Sequence, residues 1–338
     1  MMDRRITIED LAKELELSVS TVSRALSGRG YVAAMTRDRI LSHANHRGYV
    51  PDLNARSLRS GVSREIGLVV SSLEDPFYAQ LVTGFEEVAR QRGYSVILFL
   101  NHGQLDVELQ VAHSLIAKGV SGVAITPVES AAVEILAAQN RRVLQLDRII
   151  TNTVSAVSGD NMEGGRIATG HLLDRGHERI AFVIDHTKWT TGQARLFGYE
   201  QAHKDRSVLL DRTLTIELGE SRTEILSGAR DLLSKIEDLE VTAVFAANSV
   251  VGEIFYSVCL DGGVEIPDEL SLLTYDDLTW AGLVRPAVTT IDQNVSQMGS
   301  IAARTLIDSI EDGKDFGPNK TVLIPPTLVQ RDSVQTRQ

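Results

Sequence analysis

The chain has 338 residues, enough for two or three domains at roughly 100–200 residues each. Its composition, 43% hydrophobic, 23% charged and 5% aromatic, is ordinary for a globular protein and excludes a disordered or fibrous chain. The net charge of −11, taken alone, argues against nucleic acid and for a soluble cytoplasmic protein, and a single cysteine, Cys259, excludes an internal disulfide framework and a multi-cysteine zinc site.

No run of about 20 apolar residues occurs, so no transmembrane helix is expected. The first residues include Arg4 and Arg5 with no apolar core behind them, so no secretory leader is expected either. The average charge hides an asymmetry. Residues 1–62 hold ten Lys/Arg and seven Asp/Glu, a net of +3, and residues 63–338 carry −14. A short basic head on an acidic body points to the head as a nucleic-acid reader.

The head reads as helices with tight turns and no strand. Ile8, Leu11, Ala12 and Leu15 recur at helical spacing behind Thr7, a fitting N-cap. A second helix starts after Ser18, carries Val22, Ala25 and Leu26 on one face, and stops at Gly28 and Gly30. A third follows Thr36, with Ile40, Leu41 and Ala44 apolar, and ends at Gly48. Two short helices joined by about four residues make a helix-turn-helix, and small Ala12 lets them approach closely. A generic three-helix bundle would fit the same pattern. The segment Ser18-Val19-Ser20-Thr21-Val22-Ser23-Arg24 favours DNA, because it puts hydroxyls and one Arg at a helix start. Hydroxyls and helix N-termini hold phosphates, and Arg pairs with guanine in the major groove.

Four spaced motifs carry a resemblance: Thr7-Ile8-Glu9-Asp10-Leu11-Ala12, Val19-Ser20-Thr21-Val22-Ser23-Arg24-Ala25-Leu26, Gly48-Tyr49-Val50-Pro51 and Ala55-Arg56-Ser57-Leu58. In this order they resemble the signature of the lactose/galactose-repressor (LacI/GalR) family. The resemblance implies that Val19, Ser20 and Arg24 face bases, and that Thr7, Ser18, Thr21, Ser23 and Asn54 position phosphates. Glu16 departs from the family, which usually has Gly in that turn. A Glu there is expected near the left-handed region at a cost of about 1 kcal/mol.

Residues 51–62 are bounded by Pro51 and Gly61. Asp52 can cap a helix, and Ala, Arg and Leu favour one. The segment is too short to be stable alone, because isolated helices below about 12–15 residues are marginal. A plain linker is one reading. The resemblance implies instead a hinge helix, paired with that of a second subunit in the minor groove. Leu58 would then wedge between base pairs, small Ala55 would let the helices approach, and Arg56 and Arg59 would face phosphates.

The body alternates β-branched runs with amphipathic stretches. Expected strands are Ile66–Val70, Val96–Leu100, Gly122–Ile125, Val143–Leu146, Ile180–Ile184, Ala243–Ala246 and Leu270–Leu273, with helices such as Phe77–Arg92 and Met162–Arg175 between them. Such alternation implies an α/β body of parallel sheet with right-handed crossovers. About 275 residues suit two Rossmann-like lobes, and the region resembles periplasmic sugar-binding proteins. The expected organisation is a helix-turn-helix domain (1–50), a hinge helix (51–62) and an effector-binding and dimerisation domain (63–338). The N-lobe would hold about 63–160 and 293–324 and the C-lobe about 161–292 and 325–332, with crossings near Gly159, Asp292 and Pro325.

Ligands of such sheets collect at the carboxyl ends of strands. Asp75, Asp147, Arg148, Arg195, Asn248, Asp276 and Gln293 fall there, with Phe77 as a stacking face or a core residue and Trp189 as a further wall. Carboxylates beside Arg or Asn suit sugar hydroxyls, which both donate and accept, and a buried group left unpaired penalises the wrong sugar. Any one of these residues could equally be a loop-end cap. The resemblance singles out Arg195, Asn248 and Asp276, and the Asp147-Arg148 pair is similar to sugar-binding relatives. Ser249 stands where the family usually has Asp, and Thr274 where it usually has Gly before Tyr-Asp-Asp.

No catalytic residue, metal site or cofactor motif is expected. Gly28-Arg29-Gly30 lacks a preceding strand and a phosphate-loop Lys. His43 and His46 share a helix face but read as polar surface residues without carboxylate neighbours, and Cys259 reads as core. The resemblance implies a cytoplasmic, homodimeric transcriptional regulator, not an enzyme. It would be a repressor of carbohydrate uptake or catabolism genes that binds near-palindromic operator DNA and is released by a small sugar. The residues leave inducer and corepressor open. The segment Ser333–Gln338 carries no leucine heptad, which suggests a dimer over a tetramer. Rival readings are a solute-binding transporter component and a cytoplasmic sugar-processing enzyme. Leu58→Ala is expected to weaken operator binding greatly in a DNA titration while leaving effector binding unchanged; unchanged operator affinity would refute the wedge.

Overall fold

The computed structural model describes residues 6–28, 30–49, 63–139, 141–313 and 320–337. The expected hinge contacts Asn54, Ala55, Leu58 and Arg59 lie outside the described residues, as does all of 51–62. Two units are separated between Ser63 and Arg64.

In the head, Thr7 opens α1 (Ile8–Glu14) through a capping box. Its hydroxyl accepts from the Asp10 N–H at 3.2 Å, and its own N–H donates to Asp10 Oδ2 at 2.9 Å. The turn to α2 (Val19–Ser27) runs through Glu16 at φ 56, and the Leu17 N–H reaches back to the Ala12 carbonyl at 2.9 Å. This is the left-handed helix ending that glycine normally serves. Gly28 ends α2 at φ 69. Helix α3 (Ala34–His46) starts two residues before Thr36. Leu11, Ala12, Leu15, Val22, Ala25, Ile40 and Ala44 form the head core. Of the expected apolar residues Ile40, Leu41 and Ala44, Leu41 is exposed. Ile40 and Ala44 are i,i+4 neighbours on one face, and Leu41 lies about 100° around the helix from Ile40. Glu14 ties α1 to α3, accepting from His43 Nε2 and Arg47 Nη2 at 2.7 Å each. His43 therefore does have a carboxylate neighbour.

The body opens with β1 (Glu65–Val70), α4 (Pro76–Gln91), β2 (Ser95–Leu100), α5 (Leu105–Lys118), β3 (Gly122–Ile125), α6 (Ser130–Ala138), β4 (Arg142–Leu146) and β5 (Ser155–Gly159). After α7 (Asn161–Leu173) the pattern repeats: β6 (Ile180–Ile184), α8 (Thr190–Asp205), β7 (Thr215–Glu217), α9 (Arg222–Ser234), β8 (Ala243–Ala246), α10 (Ser249–Gly262), β9 (Ser271–Tyr275), α11 (Thr279–Leu283) and β10 (Thr289–Asp292). Then come α12 (Val295–Asp312), β11 (Thr321–Ile324) and β12 (Thr327–Val329).

Sheet one has the order β11-β5-β4-β3-β1-β2 and sheet two the order β12-β10-β9-β8-β6-β7. The two orders correspond strand for strand. All described pairings are parallel except β10 with β12, which is antiparallel. That exception corrects the expectation of purely parallel lobes. Only Pro325 and Pro326 separate β11 from β12, too few for the helical crossover that a parallel return requires. The chain thus passes between sheets after β5, after β10 and at the two prolines. The expected ladder also missed β5, β7, β10, β11 and β12, and β9 extends two residues further, to Tyr275.

Each sheet is covered by a helix pair in close contact through glycine. A Cβ at Gly299 of α12 would lie 2.1 Å from the Leu81 carbonyl oxygen of α4, and one at Gly84 would lie 2.1 Å from that of Ser296. In the second pair, a Cβ at Gly165 of α7 would lie 2.2 Å from the Arg195 carbonyl oxygen of α8. Main chain meets main chain at these points, so no side chain can rotate away. Gly165→Ala is therefore expected to cost about 1–3 kcal/mol and lower the melting temperature by several degrees. Gly282→Ala, whose Cβ would meet only Arg331 Nη2 at 4.0 Å, is the control expected to leave it unchanged in calorimetry.

Candidate functional site

In the head, Ser18, Val19, Ser20 and Arg24 are exposed on α2, and Thr21 and Ser23 are half-buried. Ser18 caps the helix by accepting from the Thr21 N–H at 3.2 Å, and its hydroxyl also bonds those of Ser20 at 2.9 Å and Thr21 at 2.8 Å. A row of hydroxyls thus crosses a helix N-terminus, where free N–H groups favour anions. Arg24 folds along its own helix, donating from Nε to the Ser20 carbonyl at 3.2 Å. The Thr7 hydroxyl is engaged by Asp10 Oδ2 at 2.8 Å within the capping box.

The body gathers its polar residues at the carboxyl ends of the strands. Asp75 caps α4 by accepting from the Phe77 N–H at 2.9 Å. Asp147 follows β4 at φ 66, with its N–H on the Val157 carbonyl of β5 at 2.9 Å. The Arg148 N–H then returns to the Leu146 carbonyl at 2.8 Å, closing a tight turn that places both side chains at the sheet edge. The Tyr78 hydroxyl links them, donating to Asp147 Oδ2 and accepting from Arg148 Nη2, both at 3.3 Å. Sheet two repeats the device. Asp276 follows β9 at φ 71, with its N–H on the Ile291 carbonyl of β10 at 2.9 Å. Its Oδ1 accepts from Gln293 Nε2 at 2.5 Å, and its Oδ2 from the Ser249 N–H at 3.3 Å. Aspartate tolerates left-handed backbone better than most residues, which suits it to both positions.

Arg195 is 6% exposed. Its Nε donates to Asn161 Oδ1 at 2.8 Å, its Nη1 donates to the Ala247 carbonyl at 2.6 Å, and its guanidinium lies 3.8 Å over the Tyr275 ring. The α7–α8 glycine contact sets that position. Asn248 caps α10 through Val251 N–H at 2.9 Å and donates to Asp185 Oδ1 at 3.0 Å. Thr274, where the resemblance leads one to expect Gly, donates to the Asn248 carbonyl at 3.2 Å. Its hydroxyl has room because Gly252 is opposite, where a Cβ would lie 2.1 Å away. Gly159 likewise makes room for Gln293 Oε1, 2.6 Å from where its Cβ would lie.

Asp75, Asp147, Arg148, Trp189, Arg195, Asp276 and Gln293 thus share one electrostatic neighbourhood drawn from both sheets. Burial, with Asp276 and Asp147 adding repulsion, pushes the Asp75 carboxyl up to about 6. Burial also raises Asp147, against the pull of Arg148 and Arg195. Phe77 is the correction. It is buried in the apolar core of sheet one, edge-to-face on Tyr78 at 5.0 Å, so it is no stacking platform. Tyr78, one residue on, is the aromatic that meets the polar cluster. The strand-end pair Asp160-Asn161 also fits the expected crevice, and Asn161 meets Arg195 there, whereas sequence reasoning missed Asp185 and Tyr275. A signal existed for Tyr78, because a buried Tyr in place of Phe needs a hydroxyl partner. Among the described residues no group of three or more His, Cys, Asp or Glu could hold a metal ion. No described helix is long and apolar enough to cross a membrane.

A helix-turn-helix head with an exposed hydroxyl-and-arginine face, ahead of two like-ordered sheets sharing a polar cluster, defines a DNA-binding regulator with a solute-binding type of body. A family model described as bacterial regulatory proteins, lacI family, matches residues 7–52, and one for a periplasmic binding protein-like domain matches residues 169–334. An HTH-type transcriptional repressor PurR of Histophilus somni is 31% identical over 98% of this chain and 99% of its own. The solved complex of the transcriptional regulator CelR with cellobiose is 27% identical, with TM-score 0.72 over 97% of this chain and 100% of that one. The lac repressor dimer bound to operator, at 23% identity, shares the fold with TM-score 0.86 over 98% of this chain and 100% of that one. The chain belongs to the lacI family of bacterial regulatory proteins. It is a DNA-binding transcriptional regulator, neither an enzyme nor a transporter component.

The raised Asp75 carboxyl gives a test of the cluster. Its folded value of about 6 exceeds the ordinary 3.8, so ionising it destabilises the folded state, fully so above pH 6. Asn caps helices as well as Asp. Asp75→Asn is therefore expected to raise the melting temperature at pH 8, with a gain that shrinks as pH falls through 6 and vanishes near 4. A gain independent of pH, or none, would show that ionised Asp75 is not disfavoured in the folded state by its burial and its neighbouring carboxylates.

Proposed function

We propose that this regulator is a cytoplasmic, homodimeric repressor of carbohydrate uptake or catabolism genes, released from its operator by a small uncharged sugar. Residues 1–50 act as the DNA-reading head, 51–62 as the hinge and 63–338 as the effector and dimerisation domain. Dimer symmetry pairs two heads with the half-sites of a near-palindrome. Val19, Ser20 and Arg24 read bases, and Thr7, Ser18, Thr21, Ser23 and Asn54 hold phosphates. Ala55 and Leu58 engage the minor groove, and Arg59 faces the phosphate backbone. The acidic body is repelled by the duplex, so contact is confined to head and hinge.

The observation that carries the reading is the cluster of three carboxylates, Asp75, Asp147 and Asp276, with two guanidiniums, Arg148 and Arg195, and the amide of Gln293, while Asn248 is engaged by its cap on α10 and by Asp185. Each sugar hydroxyl both donates and accepts, and such a set answers both halves. Its net negative balance disfavours sugar phosphates and sugar acids. A bound sugar changes the angle between lobes, and the hinge helices lose mutual support.

The test is a titration of a duplex selected from a random library. The selected site is expected to be near-palindromic, with log affinity falling linearly in log salt by about 0.9 per phosphate neutralised. A panel of neutral sugars should contain one that dissociates the wild-type complex, whereas the Arg195→Ala complex survives it. Dissociation by phosphorylated sugars alone would overturn the choice of ligand class.

A further inference from the structure

We infer that Trp189 is a positioning residue for Arg148 and the latch between the two lobes. The inference rests on reading the cleft as the effector site, and it concerns how that site is shaped and closed. Trp189 belongs to the sheet-two side, at the N-cap of α8, where its side chain makes no capping hydrogen bond. Its indole is turned instead towards residues of sheet one. The Arg148 guanidinium lies flat over it at 3.7 Å. Its benzo edge faces Gly103, in the loop after β2. A Cβ at Gly103 would lie 3.5 Å from Trp189 Cζ2, so any larger side chain would press on the ring.

That loop is a firm seat. The Gly103 N–H donates to Asn101 Oδ1 at 3.1 Å, and Asn101 Nδ2 donates to the Thr126 carbonyl at 2.9 Å. On its own side, Trp189 is braced edge-to-face by His186 at 5.7 Å, with Lys188 Nζ at 5.5 Å.

The consequence falls on Arg148, which is 6% exposed. Trp189 covers its face, Tyr78 takes Nη2, and Nε and Nη1 are buried without a protein partner among the described residues. A guanidinium with its face covered can offer only its edge. Nε–H and Nη1–H then donate in two fixed, divergent directions within one plane, each suited to a separate hydroxyl at one relative position. Trp189 fixes that plane, so it sets which sugar epimer meets both donor directions although Arg148 makes the contact. Because the stack joins one lobe to the other, it also favours the closed arrangement.

The first arm needs no ligand. In a Trp280→Phe background Trp189 is the sole tryptophan of the chain. Adding Arg148→Ala should shift its emission to the red, raise its quenching by acrylamide about twofold or more, and increase the radius of gyration in solution scattering. Unchanged emission and quenching would overturn the latch. The second arm measures binding of neutral aldoses and their epimers by calorimetry. Trp189→Leu should cost about tenfold or more in affinity for the preferred sugar, the size of a desolvated cation–π contact. It should also collapse the preference between epimers. Trp189→Phe, which keeps an aromatic face, should restore most of both. Retained epimer preference in Trp189→Leu would overturn the positioning role. If no neutral sugar binds the wild type, the effector reading fails, and the first arm still decides the latch.

Discussion

The constraint on which the body depends is the matched order of its two sheets. Both place their switch point next to the first strand of the set, β1 or β6, and both turn the carboxyl ends of their strands to a shared cleft. At the corresponding place in each, after β4 and after β9, stands an aspartate with positive φ. Its N–H is held by the next strand, and its carboxylate has one route, into the cleft. The glycine-to-backbone contacts of α7 with α8 and of α4 with α12 hold the helices that complete the site. The site is therefore a product of sheet topology and close helix packing, with little contribution from free loops.

Much of this is legible in the sequence because the signals are local. The helix-turn-helix follows from apolar spacing, two hydroxyl caps and glycine stops, and the left-handed turn at Glu16 follows from a missing glycine. Strand-end polar residues such as Asp147 and Asp276 are legible because β-branched runs end abruptly before them, whereas Arg195, inside α8, is legible only through the family resemblance. What is illegible depends on contacts between distant segments. Phe77 and Tyr78 are both aromatic at the start of one helix and both pack in the core, and only the placement of α4 on sheet one brings the Tyr78 hydroxyl to Asp147 and Arg148. Asn161 matters because two helices touch through glycine, and nothing near it in sequence announces Arg195. Strand β12 runs against the lobe pattern because two prolines leave no room for a crossover.

The departures from the family pattern become intelligible at the same level. Thr274 fits where glycine is usual because Gly252 faces it, and its hydroxyl finds the Asn248 carbonyl. Ser249 replaces an acid beside Asp276, and its main-chain N–H still supports that carboxylate. Both changes preserve backbone support at the sheet-two edge while altering side-chain chemistry beside it. A pocket that keeps its frame and varies its lining is the expected route by which one fold serves many ligands.

The forces across the cleft have both signs. Asp75 and Asp147 on one side face Asp276 on the other, which drives the lobes apart; this repulsion adds to burial, the larger cause, in raising the Asp75 carboxyl. Arg195 acting on Asp147, and Arg148 lying on Trp189, draw them together. A ligand can move such an equilibrium only by its difference in affinity for the two arrangements. An uncharged polyol is suited to this, because its hydroxyls donate to the opposed carboxylates without adding charge, and so remove the repulsive side of the balance while leaving the attractive side intact. A small molecule with modest binding energy can then tip the body, provided that attraction and repulsion were nearly matched beforehand.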